Sequence, residues 1–324
     1  MLRLARALAV CATALWLPAC SASSLTAPTS APPPDTGRTP SSAVASTWTL
    51  SGTLRATNGG QPLAGMTVAA AGITTTTDGT GFYALAIPSG VGGTTVSLTV
   101  SGPGLLPRGL HIVNRGTSRA VDIDAIALVA PFSLDWFRQL ARNVYDGRGT
   151  FVIRRWTTAP HVYIRTVDNA GRPVEPEVVH LVAEWARRSV PQWTSGALAV
   201  GLLESGAEAR PDTAGWLMVD FVRDAQTLEC GHSTIGSNPG RIRFNNDRCG
   251  CGSTKVAPGT VLHEFGHALG FGHVSDRGSI MYPQIPGGCA APQLSPLEQY
   301  HAALAYRRPA GNADPDLDPV SAAY

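Results

Sequence analysis

Residues 261–283 read VLHEFGHALGFGHVSDRGSIMYP. Histidines stand at 263, 267 and 273, Glu264 follows the first, and Met281 comes after the last. An α-helix turns every ~3.6 residues, so His263 and His267 lie one turn apart on one face and can share an ion. A straight helix would carry His273 away from it. Gly270 removes that obstacle, because glycine takes the left-handed conformation that ends a helix and lets the chain turn back. Zinc accepts nitrogen ligands in a tetrahedron and keeps one position open where it is catalytic. Glu264, beside the first histidine, can then serve as general base toward water and as acid toward a leaving amine.

The surrounding pattern places this stretch in a domain of about 150–308. HVYIRTVD (161–168), GWLMVDFV (215–222), GRIRFNN (240–246) and FVIRRW (151–156) read as strands. PEVVHLVAEWARRSVPQWT reads as an amphipathic helix on Val178, Leu181, Val182 and Trp185, stopped by Pro191. A helix from Pro258 to Leu269 carries the first two histidines. A last helix near 294–307 has Ser295 as N-cap, Pro296 at its first position and Glu298 three residues after the cap. His161, His180 and His301 have no ligand partners nearby and read as ordinary, and Asp276 reads as a turn residue. Residues 131–149 form a connector with a short helix at SLDWFRQLARNVYDG. The tail 309–324, GNADPDLDPVSAAY and its flank, reads as disordered.

Residues 47–130 differ in character. Short alternating runs such as TWTLSGTL, GFYALAI and TVSLTV are punctuated by NGG, DGTG, PSG and GPG, the pattern of a small antiparallel β-sandwich. Asp122 and Asp124 alternate on a strand and read as solvent-facing. Residues 21–46 are Ser, Thr, Ala and Pro throughout, a disordered tether of extended, solvated backbone. Residues 1–20 combine Arg3 and Arg6 with an apolar stretch over 7–17, too short to span a membrane and suited to an export signal.

Composition narrows the partners. The formal net charge of +2 gives no reason to expect a nucleic-acid partner. Beyond the signal, Cys230, Cys249, Cys251 and Cys289 suit two disulfides in an exported chain. Bonding Cys249 to Cys251 would close too tight a loop, so Cys230 pairs with one of them and Cys289 with the other.

Three resemblances add to this reading. HEFGHALGFGH followed by SIMYP resembles the metzincin metallopeptidases, H-E-x-x-H-x-x-G-x-x-H and then a methionine turn, and among them the matrixin branch. That resemblance implies an α+β zinc-peptidase domain with a mixed sheet and an active-site helix, acting on protein or peptide. It also implies one catalytic zinc held by His263, His267 and His273. Met281 becomes the apolar floor of the site, and Tyr282 lines the pocket for the residue after the scissile bond. Matrixins usually add a histidine-rich segment for a structural zinc, and calcium sites. Only His232 lies in that region here, and calcium has no residues to support it. SGTL, QPLAGMTVAAAG and TTTTDGTGFYALAIPSG resemble the carboxypeptidase regulatory-like family, a sandwich without catalytic residues. LPAC, ending at Cys20, resembles the lipobox of bacterial lipoproteins. This implies lipidation of Cys20 and anchoring at an envelope membrane, the outer one in a Gram-negative cell, with plain secretion as the alternative. The rival to an exported endopeptidase is a surface-binding lipoprotein whose zinc site is structural or vestigial.

Overall fold

A computed structural model describes residues 46–90, 94–147, 149–247, 249–251, 255–284 and 291–324. Cys20, the tether and Cys289 lie outside these residues. Residues 45–324 form one compact unit containing two hydrophobic cores. Among the described residues no helix is long and apolar enough to cross a membrane.

The first core lies between two four-stranded sheets. One sheet is built on β1 (Thr47–Ala56), which pairs antiparallel with β4 (Phe82–Pro88) and parallel with β7 (Arg119–Ala120) and β8 (Ile123–Ala125). The other has the order β3 (Ile73–Thr76), β2 (Thr67–Ala70), β5 (Thr95–Ser101), β6 (Arg108–Val113), all antiparallel. Side chains alternate across a strand, so β1 turns Trp48, Leu50 and Leu54 inward while β4 turns in Tyr83, Leu85 and Ile87. Val96, Leu98 and Val100 of β5 meet them from the facing sheet. Each such side chain contributes about 1.5–3 kcal/mol by leaving water.

The second core holds the remaining elements. Helix α1 (Leu134–Arg142) begins at Ser133, whose Oγ accepts from the Trp136 amide, and ends at Asn143 in the left-handed conformation. A five-stranded sheet follows, in the order β10 (Leu203–Gly206), β9 (His161–Arg165), β11 (Trp216–Val222), β13 (Gly240–Asn245), β12 (Gly231–Ser233). Its first four strands are parallel, and β12 runs antiparallel at the edge. Helix α2 (Pro176–Trp193) packs against β9 and against α3 (Pro258–Ala268), and α4 (Pro296–Tyr306) closes the core beside α1. Cys230 is bonded to Cys249, one of the two partners left open by the sequence, and Cys251 is likewise disulfide-bonded.

Four expectations are corrected. FVIRRW is not a strand, because it leaves the sheet and runs along the end of α3 and the C-terminal segment. There Ile153 N donates to Asn312 O at 2.8 Å and Trp156 Nε1 to Ala268 O at 2.9 Å. Pro191 does not stop α2, which continues through it to Trp193. A proline so near the C-terminus disturbs only the last turn.

The segment 309–324 is ordered. It lies along the free edge of β6, with Gly109 N donating to Asp316 O at 3.0 Å and Asp318 N to Gly109 O at 2.8 Å. Further on, Val113 N donates to Tyr324 O at 2.8 Å. Its acids are not solvated, because arginines neutralise them: Asp314 faces Arg138, Asp316 faces Arg308 and Asp318 faces Arg108. Asp124 belongs to the same cluster, with Oδ1 3.1 Å from Arg108 and Oδ2 2.8 Å from Arg308, rather than simply facing solvent. Asp122 instead accepts from the Thr53 amide at 2.8 Å.

Candidate metal centre

Helix α3 runs through the second core and is buried on nearly all sides, as an all-round packed helix must be. Its carbonyls are held by side-chain donors from three other parts of the chain. Trp193 Nε1 donates to Leu262 O, Trp156 Nε1 to Ala268 O and Tyr306 OH to Leu269 O, each at 2.9 Å. At Gly270 the backbone takes φ +115°, and a Cβ there would lie 1.6 Å from Arg154 O. Only glycine fits that turn. The chain doubles back and delivers His273 to the two helical histidines.

The three imidazoles converge, with one nitrogen of each within 4.8 Å of the others. Their outward nitrogens are all engaged. His263 Nδ1 donates to Ile280 O at 2.6 Å, and His267 Nδ1 donates to Phe271 O at 2.7 Å. His273 Nδ1 faces Asp146 Oδ1 at 3.1 Å. Protons on Nδ1 leave lone pairs on Nε2. The Nε2 atoms of His267 and His273 then face each other at 3.2 Å, an arrangement that repels unless a cation lies between them. Two nitrogens on a tetrahedral zinc stand about 3.4 Å apart, so donor type and spacing both fit that ion. Burial holds His263 at about 4 and His267 well below the usual histidine range, which keeps both rings neutral as ligands must be.

Glu264 stands beside this cluster, 3 % exposed, and its Oε2 has no hydrogen-bond partner. Burial, with the charge of Glu229, pushes its carboxyl up to about 8. Edge strand β12 passes over it so closely that a Cβ at Gly231 would lie 2.5 Å from Glu264 Oε1. An unpaired buried carboxyl costs stability and marks a place where chemistry is prepared.

Met281 is fully buried, and a Cβ at Gly266 of α3 would meet its Sδ at 2.7 Å. Its turn is tied by Val274 N donating to Met281 O at 3.0 Å and Met281 N to Ser279 Oγ at 2.9 Å. Glu298, read from the sequence only as a capping residue, also holds this turn. Fully buried, it accepts from Ser279 Oγ at 2.5 Å and from Ile280 N at 2.8 Å. The signal was a capping-box acid in the first turn of the helix that follows the methionine turn. Tyr282 is half-buried on that turn, next to a stretch, 285–290, outside the described residues.

Other histidines stand apart. His232 is exposed and pairs with Glu229 at 3.1 Å. His301 is buried among Phe132 and Trp136, where its Nε2 accepts from the Ser133 amide at 3.1 Å.

A family model for matrixin peptidases matches residues 231–296, from β12 through the methionine turn to the start of α4. This supports a metzincin-like domain around the cluster. No curated protein matches the chain. Among solved structures, a putative membrane-associated protein of unknown function from Bacteroides fragilis NCTC 9343 is 17% identical with a TM-score of 0.21. The match covers 26% of this chain and 29% of that one, and a likeness so slight carries no argument.

Proposed function

We propose that the chain is a zinc-dependent endopeptidase, exported and anchored to an envelope membrane through a lipid on Cys20. The observation that carries the catalytic part is three imidazoles converging beside a buried carboxyl with a free oxygen. When bound, zinc supplies a Lewis acid that activates water near neutral pH and polarises a carbonyl. His263, His267 and His273 hold it. Glu264 takes the proton from the attacking water and passes it to the amine that leaves. Gly231 lets the backbone of β12 lie against that carboxyl with no side chain to displace it. Strand β12, at the edge of its sheet, offers an extended peptide a place to lie as a further strand.

Export is supported by the disulfide between Cys230 and Cys249, a bond that persists in oxidising compartments. The rival reading, a closed structural site, needs a fourth protein donor. Among the described residues the cluster stops at three histidines.

The test is cleavage of a peptide library by the full chain and by Glu264→Ala, with zinc measured in both. Zinc retained and cleavage reduced about 100-fold or more is the expected result. Unchanged cleavage by the variant sinks the assignment, as does indifference to a chelator.

A further inference from the structure

Two of the three imidazoles are oriented from nearby in the chain. Ile280 O serves His263 and Phe271 O serves His267, from the segment that follows α3. His273 is different. Its Nδ1 faces the carboxylate of Asp146, 127 residues upstream and outside the matched stretch 231–296. A carboxylate can only accept, so the shared proton sits on Nδ1 and the lone pair on Nε2.

The connector that carries Asp146 also grips the backbone on both sides of His273. Gly272 N donates to Leu140 O at 2.7 Å, and Ser275 N to Gln139 Oε1 at 2.7 Å. The fit is close, since a Cβ at Gly272 would lie 2.4 Å from Asn143 Oδ1. The Tyr145 ring stands edge-on to the imidazole, centroids 6.4 Å apart. Arg142 anchors the connector in turn, reaching Asn312 O at 2.8 Å and Asn312 Oδ1 at 2.7 Å.

From this placement we infer that Asp146 is a positioning residue of the metal centre, fixing the ring orientation and tautomer that turn His273 Nε2 toward the other two imidazoles. The inference rests on the metal-centre reading above. Such outer carboxylates tune a ligand they never share with the ion, and losing one typically costs 10–100-fold in metal affinity. The third ligand is thereby under the control of the connector between the two cores.

The test uses the full chain and the variants Asp146→Asn and Asp146→Ala. Zinc affinity is measured by competition with a chromogenic chelator, and the His273 tautomer by nitrogen-15 NMR of the metal-free protein. Asp146→Ala is expected to weaken zinc binding about 10–100-fold and to lower the Nδ1–H population of His273. Asp146→Asn is expected to lose less, because its amide oxygen still accepts from Nδ1. Zinc affinity within twofold of the parent in Asp146→Ala overturns the role of Asp146. Equal losses in both variants, matched by equal falls in the melting temperature of the metal-free protein, overturn it too and leave only a structural contact. A parent protein that takes up no zinc overturns the metal-centre reading itself.

Discussion

Two of the places where the chain buries polar groups treat them in opposite ways. At the joint between its cores, charges are buried in pairs. Arg308, fully buried, reaches Asp316 at 2.7 Å, Asp124 at 2.8 Å and Thr57 Oγ1 at 2.9 Å. Arg108 reaches Asp318 at 2.8 Å, and Asn312 Nδ2 bridges to Asp316 and Asp318 at 2.9 and 2.8 Å. At the candidate metal centre burial keeps His263 and His267 neutral, and Glu264 keeps an oxygen with no partner. The first arrangement spends its hydrogen bonds on geometry. The second leaves a carboxyl oxygen unpartnered, with no cation beside it among the described residues, whereas the one unpartnered atom of Arg108, Nε, belongs to a group already paired through its other nitrogens.

The largest stability change should come from stranding a charge at the joint. Arg308→Met takes its closest cation from Asp316 and leaves Asp124 with Arg108 alone, and removing one partner of a buried pair costs about 3–5 kcal/mol. Urea unfolding of the metal-free protein measures it, and a loss under 1 kcal/mol would show that the cluster is hydrated and dispensable. At the metal centre the sign reverses. Near neutral pH, Glu264→Gln should stabilise the metal-free protein by about 1–3 kcal/mol, because folding no longer has to protonate a buried carboxyl.

The two regions should also answer pH in opposite directions. Glu264 has a folded-state value raised to about 8, so the folded chain holds its proton where the unfolded chain has released it. Its cost is absent below the ordinary carboxylate value and grows as pH rises toward 8, so the gain from Glu264→Gln should grow with it. Burial opposes ionisation of Asp124, but Arg308 and Arg108 outweigh it and hold the carboxyl below its usual range. Its contribution is complete above the ordinary value and disappears as pH falls through the lowered one. Melting temperatures across pH separate the two trends, and parallel curves for parent and Glu264→Gln would contradict this account. The smallest effect belongs to Glu184 and Arg188, an exposed pair one turn apart on α2. Glu184→Ala should cost about 0.3–0.5 kcal/mol, measurable by the same unfolding.

What the sequence discloses follows from how local each signal is. The helix at Pro296 announces itself through Ser295 and Glu298, which form a complete capping box. The strands of the first core show in their alternation, because one face of each is buried. The histidines and Gly270 are readable because one helical turn and one backbone reversal relate them. Asp146 is not readable, since a single acid in a loop gives no hint of a partner 127 residues away. Strands β10 and β12 are short, four and three residues, and carry too few alternations to register. The C-terminal segment misleads for a related reason. Aspartates and prolines look like solvated chain until the arginines that meet them are brought in from Arg108, Arg138 and Arg308.

The bond from Cys230 to Cys249 has a bearing on how the protein is made. Cys230 directly precedes Gly231, the residue that lies against Glu264. A cross-link over a loop of this size restrains the chain by about 3 kcal/mol. In a reducing cytosol that restraint is missing from the one strand that roofs the carboxyl, while all three histidines are untouched. If the proposed zinc-peptidase reading holds, protein prepared there should still take up zinc but turn over less than the oxidised protein, so zinc content alone is no proof of a competent preparation.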